Sequence, residues 1–436
     1  MLVPPLESFI PEDHRLRKLD RVLDLEFVHE AVRDCYCQDN GRASVDPEVV
    51  IRLFLIQAMQ RIQHVRELMR QVGENLAYRW FIGYDLSEQL PDHSTLSRAL
   101  DRFGDDVFNA LFARSIAQCR ASGLIGGKVL HLDATLIRAD IQKDQAGKPG
   151  CADPEARYGR RKGAPGYKQP ARGGVVDGKA RVIVDVSVMP ANRHDQEGAV
   201  AAVDRAMAVI GQTPEAVCAD SAYANGPNAA AMEERNIRLV SPPPRAARSP
   251  KLPPDQFTSE DFVYDEQRDV FVCPAGETLV YAGTESSQRR RRRYRARKPA
   301  CLVCMWKARC TLEDRKQINV SHNHAALVRL RADSRTDDFH DLYRARAPVS
   351  EGTFAESKQW HGLGRAGRRG LSNMLIQSLL IATVLNCKRL MAALRPLLAL
   401  GNTRFLLLRV LLASIRLLTG PGRNVRRHAV HCQSTP

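Results

Sequence analysis

The sequence predicts an α/β core behind an all-helical N-terminal region. Three observations predict it. Apolar residues recur at helical spacing within residues 1–124, two alternating strand patterns follow at 128–137 and 180–189, and strand and helix signals then alternate to residue 240.

The N-terminal helices come first. Val49, Val50, Leu53, Phe54, Ile56, Gln57 and Met59 fall on helical spacing, and Pro47 stands just inside a start at Asp46. A second start signal stands at Asp92, in Pro91-Asp-His-Ser-Thr-Leu-Ser-Arg-Ala-Leu-Asp-Arg-Phe103. From Lys128 the texture becomes β, through Ile137 and again over Ala180–Met189. The intervening 141–179 is rich in Gly, Lys and Arg and reads as a loop. A helix at 196–210, a strand at 216–220, a helix at 226–235 and a strand at 237–240 follow, closed by the punctuation Ser241-Pro-Pro-Pro-Arg245. Residues 246–320 differ in character, with prolines, cysteines and an arginine run, and helices resume from 321. The organisation read from these changes is 1–124 helical, 125–245 first part of the core, 246–320 a Cys/Arg-rich insertion, 321–390 second part of the core, and 391–436 a helical C-terminal extension.

Composition narrows the class of function. The 436 residues are 44% hydrophobic and 26% charged, a globular mixture rather than a disordered one. Lys and Arg total 65 against 49 Asp and Glu, a net charge of +16. A surplus of that size points to a polyanionic partner, nucleic acid first and an anionic membrane surface second. The N-terminus lacks the basic and apolar regions of a secretory signal. No stretch reaches the roughly 18 uncharged apolar residues of a membrane span; 371–418 comes nearest and is broken by Lys388, Arg389, Arg395, Arg404, Arg409 and Arg416. Eleven cysteines, an odd number, suit reduced thiols in the cytoplasm of a cell, with any close cluster a metal candidate.

Three carboxylates stand out. Alternation puts His131, Asp133 and Thr135 on one face of the first strand, and a mid-strand carboxylate is costly unless paired or metal-bound. Asp220 ends a strand, where α/β sheets place their ligand sites. Glu351 lies near a helix start with Pro348 in its first turn, and Glu351, Phe354 and Lys358 at i, i+3 and i+7 share one face. Asp140, Asp144, Asp185 and Asp195 are competitors, Asp185 most of all because it too is mid-strand.

The order of these pieces resembles the bacterial insertion-sequence transposases with a DDE acidic triad on an RNase H-like fold. The matching residues are Leu132-Asp133-Ala-Thr135, Gly166-Tyr-Lys168, Val188-Met-Pro-Ala-Asn-Arg-His-Asp195, Ala219-Asp220-Ser-Ala-Tyr223, and Ser350-Glu351-Gly-Thr-Phe354 with Lys358 and Arg369-Gly-Leu371. They run in order from about residue 46 to about 390. The resemblance is closest to the subgroup with a cysteine-bearing insertion between the second Asp and the Glu. It implies an RNase H-like mixed sheet with flanking helices, preceded by an all-helical DNA-binding domain. It carries Asp133, Asp220 and Glu351 over as the catalytic triad and metal ligands, with Glu356 the alternative to Glu351. Two Mg²⁺ or Mn²⁺ ions would be the cofactor, since hard divalent ions take oxygen ligands and stabilise both oxygens of an in-line displacement. The resemblance also implies a DNA partner, a homodimer or higher oligomer, and a place on the bacterial nucleoid.

Around the triad, Tyr167, Lys168, Lys358 and Arg369 are candidates for phosphate contacts. His93, Ser94, Thr95, Ser97 and Arg98 would read a DNA groove from the first turns of their helix. Arg289 to Arg293 form an unbroken arginine run, with Arg291 and Arg292 at its centre, suited to nonspecific backbone binding. Cys273, Cys301, Cys304 and Cys310 are four thiols for a candidate structural zinc site, though the spacing of Cys310 is looser than a Cys-x₂-Cys pair. The basic residues gather at 157–168, 289–298 and 365–369, two of these next to triad motifs. The expected function is thus an active transposase that cuts at the ends of its element and rejoins the DNA. The alternative is a catalytically inactive, transposase-derived DNA-binding protein.

Overall fold

Asp46 caps the helix Pro47–Met59, its side chain accepting from Glu48 N–H at 2.7 Å with Pro47 in the first turn. Asp92 does the same for His93–Phe103 through Ser94 N–H at 2.8 Å. Both starts fall where the sequence places them. The computed structural model describes residues 4–36, 44–141, 151–156, 169–244, 248, 250–285 and 291–394. Within it these helices, with Val65–Glu74, Leu76–Ile82 and Asp106–Ala121, bury Val50, Leu53, Phe54, Leu68, Leu96 and Phe108 against one another.

The central sheet has five strands: β1 Val129–Ile137, β2 Gln169–Asp177, β3 Ile183–Met189, β4 Ala216–Ala219 and β5 Arg238–Val240. Their order across the sheet is β3-β2-β1-β4-β5. The β1–β2 and β2–β3 pairs are antiparallel, while β4 runs parallel to both β1 and β5. This is the mixed α/β sheet that the RNase H-like expectation requires. Helices Ala199–Ile210 and Gly226–Glu233 provide the crossovers around β4.

One element departs from the sequence reading. The segment read as loop up to residue 179 contains β2, a strand inside the sheet. Its Gly173-Gly174 pair hides the apolar alternation, yet the glycines have a packing reason. A Cβ on Gly173 would meet Ser187 Oγ at 2.8 Å, and one on Gly174 would lie 3.3 Å from the Asp185 carbonyl and 3.6 Å from the Phe354 ring. The first and third strands begin at 129 and 183 rather than 128 and 180.

A second sheet occupies the cysteine and arginine zone. It consists of β6 Val263–Asp265, β7 Val270–Val272, β8 Thr278–Thr284, β9 Arg292–Arg295 and β10 Gln317–Val320, antiparallel throughout in the order β10-β9-β8-β7-β6. Phe262, Phe271, Leu279, Tyr294, Ala296, Ile318 and Val320 form its own small core. The long helix Leu371–Ala393 is a core helix, with Leu379, Ile381, Val384 and Leu385 buried. Its Asn386 amide accepts from Ile183 N–H and donates to the Ile183 carbonyl, both at 2.9 Å, so a side chain continues the ladder of edge strand β3. Of residues 391–436, read as a helical extension, 391–393 continue the core helix and 395–436 lie outside the described residues.

Candidate active site

Strand register sets the first two acids side by side. Leu132 of β1 pairs with Ala219 of β4 in parallel register, so Asp133 and Asp220 are the next residues along adjacent strands. Asp220 then turns to accept from Ala222 N–H at 2.9 Å, capping the short 3₁₀ turn Ser221–Tyr223. Asp133 lies opposite Gly174 on β2. Opposed residues of an antiparallel pair share a face, and Phe354 sits over Gly174. The helix bearing Phe354 therefore covers the Asp133 face of the sheet.

That helix, Gly352–His361, is entered through a π-helical turn, Ala347–Glu351. The turn decides what stands beside Glu351. On an α-helix, residues five apart point about 140° away from each other; a π turn closes i to i+5 and brings them into line. Arg346 and Glu351 are so related. Arg346 donates to Glu351 Oε1 at 2.6 Å and to Asp133 Oδ2 at 3.2 Å. Burial works against the Arg346 charge, but Asp133 and the neighbouring Glu351 and Asp220 overcome it and push its pKa up. Burial likewise pushes the Asp133 carboxyl up, Arg346 and the Ala134 N–H pull it back, and Asp220 and Glu351 push it up again. Thus three carboxylates from three distant stretches of chain surround one buried guanidinium.

Sequence reasoning missed Arg346. Its signal was Tyr343 and Arg346 at i, i+3 ahead of Glu351, with the Arg346 guanidinium lying over the Tyr343 ring at 5.6 Å.

Asp185, Asp140 and Glu356 are committed elsewhere. Asp185 pairs with Val175, one residue out of phase with Gly174, and so faces the opposite side of the sheet. There it takes a two-pronged contact from Arg205 at 2.8 and 2.9 Å. Asp140 is paired with Arg365 at 3.0 Å. Glu356 is gripped by Lys388 and Arg389, with Arg181 at 3.8 Å. Burial pushes its carboxyl up, but hydrogen bonds from Arg389 and Lys388 outweigh this and hold it at about 2. Asp144 and the side chain of Asp195 lie outside what the structure describes.

Among the described residues, no group of three or more His, Cys, Asp and Glu side chains stands close enough to hold a metal ion. The donor set nevertheless suits a hard cation. Asp133, Asp220 and Glu351 offer carboxylate oxygen alone, and a positive group, the Arg346 guanidinium, already lies among them.

The predicted DNA contacts fall on different surfaces. His93 and Ser97 line a cleft of about 830 Å³ with Arg61, Arg66, Arg365 and Arg368. Arg66 approaches His93 Nε2 at 3.4 Å, Arg98 donates to Ser94 Oγ at 3.2 Å, and Thr95 is half-buried. The cleft joins the helical region to the loop after the Glu351 helix, where Arg368 meets Asp101 at 2.7 Å. That loop also docks on the end of β1, with Arg138 N–H donating to the Gly364 carbonyl and Arg369 donating to the Asp140 carbonyl, each at 3.2 Å. Lys358 is half-buried on the Glu351 helix. Arg292 is held by Asp269 and lies over the rings of Tyr281 and Tyr294, while Arg291 is half-buried beside it. Tyr167 and Lys168 lie outside the described residues. The four predicted zinc thiols, Cys273, Cys301, Cys304 and Cys310, line one cavity beside the small sheet.

Comparison with known proteins gives two family matches. Residues 4–102 match a family model described as "Transposase domain (DUF772)", and residues 272–391 match one described as "Transposase DDE domain". The second match contains Glu351 and Arg346; Asp133 and Asp220 stand before it. No curated protein matches the chain. Among solved structures the chain is similar to a piggyBac transposase, determined by cryo-EM as a synaptic complex with hairpin DNA. The identity is 12%, the match covers 90% of this chain and 83% of that one, and the TM-score is 0.37. The two family matches place the chain among the DDE transposases. It is a DNA transposase of a family that uses divalent metal ions.

Proposed function

We propose that the chain binds the terminal inverted repeats of an insertion sequence, hydrolyses the phosphodiester at each end, and joins the freed 3′-OH to target DNA. The observation that carries this reading is the meeting of Asp133, Asp220 and Glu351 around Arg346. These acids are the catalytic and metal-holding set; bound Mg²⁺ or Mn²⁺ would stabilise charge on the attacking and leaving oxygens. Arg346 sets the carboxylates of Asp133 and Glu351 and offsets their mutual repulsion. Water attacks first and the released 3′-OH attacks second, so one site serves cleavage and joining without a covalent link between protein and DNA.

Duplex DNA is the partner, and the +16 balance supplies its counterions. His93, Ser94, Thr95, Ser97 and Arg98 are the end readers. Arg66 and the other arginines of the adjoining cleft hold backbone phosphates. Lys358 and Arg369, with Tyr167 and Lys168, serve the scissile region, and Arg291 and Arg292 border a more distant backbone contact. Two ends must be cut together, so a dimer or larger assembly is the working form.

The test is nicking of supercoiled plasmid bearing the element's own flanking repeats, in Mg²⁺ or Mn²⁺. Wild type should nick at the repeat ends, and Asp133→Ala, Asp220→Ala and Glu351→Ala should not. Three variants that cut like wild type would remove the triad assignment.

A further inference from the structure

We propose that Cys273, Cys301, Cys304 and Cys310 bind one structural Zn²⁺ ion, which folds the tip of the small sheet. The inference is independent of the catalytic reading and concerns what holds residues 298–312 in place.

The four thiols reach one place from separate turns. Cys273 follows β7, Cys301 lies in the short helix Lys298–Leu302, Cys304 follows that helix, and Cys310 ends the helix Lys307–Cys310. All four line a single cavity of about 400 Å³. Cys273, Cys301 and Cys310 also pack against the small-sheet core, and none of the four is in a disulfide.

The tip is tied by polar and ring contacts, Arg309 to Asp255 at 2.7 Å, Lys298 to Asp314 at 2.7 Å and Trp306 against Phe257, but it has little apolar burial. Its helices have five and four residues, far below the roughly 12–15 at which an isolated helix becomes even marginal. Neither contains a fully buried residue. Val303 and Met305 are 87% and 85% exposed, and Leu302 and Leu312 are exposed as well. Apolar burial therefore contributes little to the order of this segment, and a metal cross-link would add to what the surface contacts supply.

The surroundings suit thiolates. The Cys273 carbonyl accepts from Gly276 N–H at 2.8 Å and its sulfur accepts from Glu277 N–H at 3.3 Å. Gly276 makes that turn at φ 83°. Four thiolates and one Zn²⁺ carry a net charge of about −2, and Lys307 and Lys316 line the same cavity. Lys316 also donates to the Cys310 carbonyl at 2.9 Å. Soft sulfur ligands in a tetrahedral set select zinc over the hard ions of the carboxylate site. The four sulfurs stand farther apart than a bound metal requires, as do all groups of His, Cys, Asp and Glu among the described residues. Binding would require them to close to about 2.3 Å from the metal.

The experiment uses full-length protein purified without chelators. Elemental analysis should find about one zinc per chain. Cys301→Ser and Cys304→Ser should lose it, while Cys35→Ser and Asp133→Ala should retain it. Should a cysteine variant misfold, the wild type still decides: Co²⁺ exchanged into it should show thiolate-to-metal charge transfer and tetrahedral d–d bands. The proposal is overturned by zinc-free wild type that gives no such Co²⁺ spectrum, by zinc that persists in Cys301→Ser, or by a disulfide among the four thiols.

Discussion

Arg346 and Asp133 lie 213 residues apart in sequence, yet the Arg346 guanidinium donates to Asp133 Oδ2 at 3.2 Å in a half-dry pocket. Both side chains are almost covered, at 10% and 14% exposure. An ion pair so placed controls the ionisation of the carboxylate as much as its position.

Arg346→Met should therefore alter pH dependence as well as rate. Without the cation, burial and the neighbouring acids raise the Asp133 pKa further, and under the proposed function Asp133 must be ionised to hold a metal. The acid limb of the nicking profile should move to higher pH, with a rate loss of about 100-fold at neutral pH. Rates measured across pH in Mn²⁺ for both proteins test this. Superimposable profiles would show that Arg346 does not govern the site.

Glu356 and Glu351 should separate stability from chemistry. Glu356 has a folded pKa of about 2 against an ordinary value of 4.5. A depressed carboxylate stabilises the fold above its unfolded pKa and loses that contribution as pH falls toward the folded value. Glu356→Gln should cost about 1–3 kcal/mol at pH 7, and the difference from wild type should narrow between pH 4.5 and pH 2. Nicking by the folded variant should survive. Glu351→Gln should do the reverse, keeping the melting temperature and losing the nicking. Thermal melts at several pH values, with activity per folded molecule, distinguish the two.

Gly174→Val tests how the Glu351 helix is seated. The added side chain enters the space between the Asp185 carbonyl and the Phe354 ring. Overpacking of this kind costs about 1–3 kcal/mol. Because Phe354 is three residues from Glu351, nicking should fall more than stability accounts for. A variant with lowered stability but full activity per folded molecule would show that the contact does not position Glu351.

Arg66→Ala tests the cleft. Arg66 is exposed and stands beside His93 at its rim. A phosphate contact should appear as weaker binding to all duplexes and a salt dependence shallower by about one counterion. Binding titrations at several salt concentrations, with repeat-end and unrelated DNA, check this. An unchanged salt slope would place the DNA elsewhere.

Local patterns made much of the molecule legible. The caps at Asp46 and Asp92 need only a side chain and an N–H two residues on, so four letters of sequence announce them. β1 and β3 betray themselves by alternation, and Asp220 by its place at a strand end. Strand β2 was illegible because its two glycines carry no apolar signal; their role is to admit Ser187 and Phe354, which come from elsewhere in the chain.

The choice among acids needed the three-dimensional structure. Asp133 and Asp185 look alike in sequence, each a mid-strand carboxylate between apolar neighbours. Pairing through β2 puts them on opposite faces, one beside Asp220 and the other against Arg205. Glu351 and Glu356 lie on one helical stretch, and their partners divide them: Arg346, five residues back and bonded to Asp133, for one, and Lys388 and Arg389 of a later helix for the other. Arg346 stayed hidden because α-helical spacing turns it away from Glu351, and only the π turn brings it round. Sequence carries relations that span a few residues, so it determined the elements, their ends and the short list of acids. Which of those acids share a site depends on strand register and on contacts across more than 200 residues, where chain entropy leaves no local mark.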